Sequence, residues 1–161
     1  MADNDIHSVR TSAEQDSRRV METLSEAECM DLLNAGTVAR LVYTSQYGPL
    51  ALPFEYRMFG GSIVFRTYRV TLTEEDLRND IPHAEYGVAV EIDRTDPERR
   101  EGWIVIAQGP AHHVDTEAER SAIADIDLDS WIEGEPEHFI RVTPTRVAGM
   151  RIRQGPIGSG Q

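Results

Sequence analysis

Apolar and polar residues alternate along much of this chain, and glycine or proline interrupts the alternation at short intervals. A period of two marks half-buried strands. It is clearest over residues 86–93, and strand-like runs also cover 37–44, 50–56, 62–67, 102–114 and 138–153. The stretch from Pro49 to Thr67 organises the rest. Two strand-like runs flank Phe59-Gly60-Gly61, and glycine reaches positive φ without steric cost, so the segment predicts a β-hairpin. Its first run carries Pro53. Proline removes a ladder donor and belongs at an edge, or where the backbone serves something other than a sheet. Gly109-Pro110 predicts a bulge or bend in the long strand 102–114, and Thr143-Pro144 a break in the last strand region.

The helical signals are shorter. Ser25-Glu26-Ala27-Glu28 has the capping-box spacing, with Leu24 placed as a staple residue and Cys29, Leu32 and Leu33 forming an apolar stripe. Gly36 is expected to end that helix as a left-handed cap. A second helix start is read over residues 71–77, with Thr71 or Thr73 as cap, and Ile81-Pro82 stops it. A third covers residues 115–124, led by Asp115 or Thr116. Residues 1–20 read as a disordered or loosely helical arm, 21–153 as one domain, and 154–161 as a disordered tail. About six strands joined by tight turns, with two or three short helices, predict a mainly β (α+β) fold: a small closed or half-open antiparallel barrel.

Charge narrows the partners. The 161 residues carry a net charge of −12, and a field of that sign repels nucleic acid and anionic lipid, so neither is expected as a partner. No apolar run is long enough to span a membrane, and the N-terminus has no apolar h-region of a secretory signal. The single cysteine, Cys29, fits a reducing setting and reads as a small core residue, so a cytoplasmic location is expected.

Familiar catalytic signatures are absent: the chain has no P-loop, GxSxG, CxxC or HExxH. His112 and His113 are adjacent on a strand and face opposite ways, so they make a poor metal pair. What remains suits a flat, phosphorylated small molecule. Arg66 and Thr67 offer a guanidinium fork and a hydroxyl, and Arg69 and Thr71 follow at a helix start. Pro53, Phe54, Glu55 and Tyr56 supply backbone and aromatic surface, and Trp103 and Trp131 are candidate stacking platforms. Each has a plainer reading: Arg66 paired with an acid, Trp103 in a core or dimer interface, Trp131 covering a partner chain.

Taken together, LSEAECMDLL, TVARLVYT, LPFEY, IVFRT, VAVEID, GWIVIAQGPAHHV and HFIRVTPTRVAGMRI resemble the pyridoxamine 5′-phosphate oxidase-like split-barrel family. The resemblance runs from about Leu24 to Ile152. It implies a six-stranded antiparallel split β-barrel with short peripheral helices, a homodimer, and an FMN-dependent oxidoreductase; some relatives bind the deazaflavin F420 or haem. It further implies a ligand groove at the dimer interface. Pro53, Phe54, Glu55 and Tyr56 would border the isoalloxazine, Phe65, Arg66 and Thr67 the ribityl-phosphate end, and Trp103 the ring or the interface. Many members continue after the RT pair with GPGTKL or GSKL. Here Tyr68-Arg69-Val70-Thr71-Leu72 stands instead, so Arg69 replaces the lysine in charge only. A split-barrel binding protein that has lost its flavin is therefore the alternative.

Overall fold

Gly60 and Gly61 close the central hairpin at φ of 56° and 78°, both in the left-handed region where a side chain is strained. The hairpin belongs to a computed structural model that describes residues 19–67, 85–128 and 138–155. Among these, the strands are β1 (Arg19–Leu24), β2 (Val38–Ser45), β3 (Gly48–Phe59), β4 (Ser62–Thr67), β5 (Tyr86–Asp96), β6 (Glu101–His113), β7 (His138–Val142) and β8 (Arg146–Gln154). Helix α1 (Glu26–Ala35) follows β1, and α2 (Glu117–Ile123) follows β6. The helix start predicted over 71–77 lies outside the described residues.

Six strands close a barrel. The antiparallel order β6-β5-β2-β3-β4-β7 returns to β6 through a β6–β7 ladder. Strands β8 and β1 continue the sheet outward from the same edge of β6. Gly102 to Gln108 of β6 pair with β8, whereas Ala111 to His113 pair with β7. The crossing falls at Gly109-Pro110. Thr143 N–H donates to the Pro110 carbonyl at 3.0 Å and Thr145 N–H to the Gln108 carbonyl at 2.8 Å. A Cβ on Gly109 would run into the Thr143 carbonyl oxygen, so the approach requires glycine. The single region expected over 138–153 is thus two strands with different neighbours.

Strand β1 was not legible as a strand. Its sequence, RVMETL, joins a polar arm, and its burial pattern alternates weakly. Its Arg19 and Val20 pair with Gln154 and Arg153, so ordered structure starts before residue 21 and includes Gln154.

Helix α1 begins as its sequence dictates. The Ser25 hydroxyl accepts from Glu28 N–H at 3.3 Å, and Glu28 Oε2 accepts from Ser25 N–H at 2.9 Å. Its end differs from the expectation. Gly36 sits at φ −79° and ψ 158°, extended and not left-handed. Glycine is needed there because a Cβ would collide with the Tyr56 hydroxyl.

The barrel interior holds Leu41, Tyr56, Ile63, Phe65, Val90 and Ile140, with Cys29 and Leu33 of α1 packed onto it. Burial pushes the Cys29 thiol up, which keeps it a small protonated core residue. A second cluster lies on the outer face of β4, where Ile123 of α2, Val114 and Leu128 bury Val64.

Candidate functional site: a cleft where two strands part

The β3–β4 ladder runs from Phe59↔Ser62 to Tyr56↔Phe65 and stops there. Beyond that rung β3 stays with β2 through Val38↔Glu55 and Arg40↔Pro53. Strand β4 stays with β7 through Arg66↔Phe139 and Thr67↔His138. Pro53 accounts for part of this separation. Tyr56 N–H donates to the Thr37 carbonyl at 2.9 Å, so alternate amides face β2 and those at 55 and 53 face the β4 side. At 53 no N–H exists, and the ladder cannot be extended by it. The result is a parting of two strands in the same barrel wall, termed the cleft below.

Strand alternation sorts the residues expected at a ligand. Phe54, Tyr56, Phe65 and Thr67 point into the barrel. The Phe54 and Phe65 ring centroids are 4.3 Å apart, and Tyr56 and Phe65 are fully buried. The Tyr56 hydroxyl donates to the Leu33 carbonyl at 2.7 Å, and burial pushes its phenol up to about 12. These side chains build the wall behind the cleft. Pro53, Glu55 and Arg66 face outward and line it. Arg66 and Thr67 therefore do not act side by side, because consecutive strand residues face opposite ways. Trp103 is in another sector: it sits opposite Arg94 of β5 and Arg151 of β8 and packs against the rim of the core. Arg69, Thr71 and Trp131 lie outside the described residues.

The electrostatics of the cleft are unusual. The Arg66 guanidinium carbon lies 5.4 Å from the centroid of the Phe139 ring. Its Nε is buried without a hydrogen-bond partner, and so is Oε2 of Glu55. Buried polar atoms of this kind carry a desolvation penalty of about 1–3 kcal/mol or more. Arg40, two strands away, shows the contrast. It donates to Glu91 at 2.8 Å and Asp93 at 2.7 Å, and those bonds hold its pKa above the ordinary arginine range. Among the described residues no carboxylate pairs with Arg66, in a chain with a large excess of acids. Phe139 was missed in the sequence because its role depends on the β4–β7 register.

A second concavity lies on the outer face across β1, β8 and β6. It encloses about 640 Å³ and is floored by Met21, Trp103, Ile104, Met150 and Ile152. Met21, Met150 and Ile152 are 65%, 45% and 41% exposed, so this face is apolar and uncovered by the described chain. Among the described residues no group of three histidine, cysteine or acidic side chains is placed to hold a metal, and no helix is long and apolar enough to cross a membrane.

A closed six-stranded antiparallel barrel with short helices packed on it is the architecture of a split-barrel protein. The chain belongs to the pyridoxamine 5′-phosphate oxidase family, whose model matches residues 25–151. It is 31% identical over 143 residues to Rv0080 of Mycobacterium tuberculosis, covering 89% of this chain and 92% of that protein. Among solved structures, the FAD binding protein from Mycobacterium smegmatis is 30% identical with a TM-score of 0.65, covering 81% of this chain and 98% of that one. An FAD-binding protein from Mesorhizobium loti shares the fold at 21% identity and a TM-score of 0.65, covering 82% and 98%.

Proposed function

We propose that this chain is a flavoprotein of the oxidoreductase class, holding FMN against the cleft between β3 and β4 and acting on a small molecule. The observation that carries the reading is the half-buried Arg66 guanidinium, which has no acidic partner among the described residues and stands where the β3–β4 ladder ends. Membership of the family and likeness to an FAD binding protein support a flavin in particular. When bound, the flavin supplies the hydride chemistry, and the protein supplies position and electrostatics. Pro53 and Glu55 border the ligand, the Phe54–Tyr56–Phe65 wall keeps the cleft rigid, and Glu55 disfavours added negative charge nearby. Trp103 pairs with β5 and β8 and stands outside the β3–β4 parting. A second copy, docked through the apolar outer face, is the proposed source of the other wall.

Purified protein is expected to be yellow, or to quench flavin fluorescence on titration. A colourless protein that leaves FMN fluorescence unchanged would leave the alternative: a split-barrel binding protein without flavin. The deazaflavin F420 and haem remain the other candidates for the cleft. A Soret band after haem addition, with no flavin quenching, would favour haem.

A further inference from the structure

Two orphaned atoms of opposite character flank the end of the β3–β4 ladder. The register of Tyr56↔Phe65 sets Glu55 and Arg66 as the next residues on the outer face of their strands. Glu55 Oε2 is a buried acceptor with no donor, and Arg66 Nε is a buried donor with no acceptor. They do not satisfy each other: no ion pair or hydrogen bond joins them, and the guanidinium lies over Phe139 instead. A phosphate explains only half of this arrangement. It would satisfy Arg66, but it would bring like charge against Glu55.

We infer that Glu55 and Arg66 read the imide edge of a planar heterocycle, with Glu55 accepting from its ring N–H and Arg66 donating to the adjacent carbonyl. The pyrimidine part of a flavin presents this sequence of groups: carbonyl, N3–H, carbonyl. The Arg66 guanidinium lies over the Phe139 ring, which gives it an apolar support on one side. The phosphate end then belongs outside this pair. The inference rests on the flavin reading and deepens it by assigning which end of the ligand the cleft takes. It also separates ligand classes, because a deazaflavin carries the same imide edge and a haem does not.

The test is fluorescence titration of the intact protein with riboflavin, N3-methylriboflavin and FMN. Loss of one hydrogen bond to a charged group corresponds to about ten- to hundredfold in affinity. Riboflavin is expected to bind at least about tenfold more tightly than its N3-methyl analogue. Glu55→Ala should abolish that preference. Arg66→Gln should weaken riboflavin and FMN by the same factor, leaving their ratio unchanged. Equal binding of riboflavin and N3-methylriboflavin by the unaltered protein would overturn the inference, and this comparison needs no variant to fold. A collapse of the FMN-to-riboflavin ratio in Arg66→Gln would overturn it too, by placing Arg66 at the phosphate. Either result leaves the flavin reading intact. No binding of any of the three would end both.

Discussion

Gly36 and Tyr56 form a matched pair at the seam between α1 and β3. The phenol reaches the Leu33 carbonyl only because Gly36 has no side chain in its path. Tyr56→Phe leaves that buried carbonyl without its donor and is expected to cost about 1–3 kcal/mol in denaturant unfolding. Gly36→Ala drives a methyl into the hydroxyl and should cost at least as much. The double variant should be less damaged than the sum, because removing the hydroxyl makes room for the methyl. Additive losses would show that the two residues act separately. The raised pKa of Tyr56 adds an optical check. Its phenol should ionise only around pH 12.

At the scale of elements, much was legible where one local signal sufficed. The hairpin glycines, the Ser25–Glu28 box and the Thr116 cap of α2 stand where the chain's turn chemistry placed them, whereas Gly109-Pro110 is no bulge: β6 pairs with β5 straight through it, and only the partner on its other edge changes there. What depends on long-range pairing was not legible. Strand β1 exists because β8 offers it an edge, and Gly36 is extended because Tyr56 occupies its neighbourhood. Of the cleft, Pro53, Glu55 and Arg66 could be named from residue type. Which of their neighbours turn inward depended on register, as did Phe139. Gly109→Ala is expected to lower stability by about 1–3 kcal/mol through overpacking against the Thr143 carbonyl. An unchanged denaturation midpoint would count against that close approach.

Helix caps also set an acid limit. The Ser25 hydrogen bonds hold Glu28 below the ordinary glutamate value of 4.5, and the His112 bond, at 3.0 Å, does the same for Glu119. A carboxylate with a depressed folded pKa contributes stability that is complete above its unfolded value and lost as pH falls through the folded one. Thermal midpoints should therefore be flat above about pH 5 and decline below about pH 4.5. His112→Gln should reduce the Glu119 share of that decline. Glu28 is exposed and Glu119 partly so, and the effect should shrink in added salt.

For the whole molecule, the uncovered face is the dominant feature. Met21, Met150 and Ile152 form an apolar surface beside the Arg40–Glu91–Asp93 ion pairs, so both charge signs flank it. A face bearing both signs is the kind that a two-fold axis can bring against its own copy. Light scattering at micromolar concentration is expected to give a dimer, and the Met150→Glu, Ile152→Glu pair to give a monomer with an intact circular dichroism spectrum. A monomeric unaltered protein would count against a shared ligand groove.

The way β6 divides its partners bears on how the protein comes apart. Strands β1 and β8 hang from β6 as a ribbon, fastened where Gly149 lies against Cys29 of α1 and where Glu22 and Arg153 join the two strands. Nothing in the closed ring depends on that ribbon for its own ladder. The ribbon and α1 should therefore exchange their amide hydrogens as one unit, ahead of the ring. If every strand exchanged together, Gly109 would be a corner within one cooperative body and not a boundary between two.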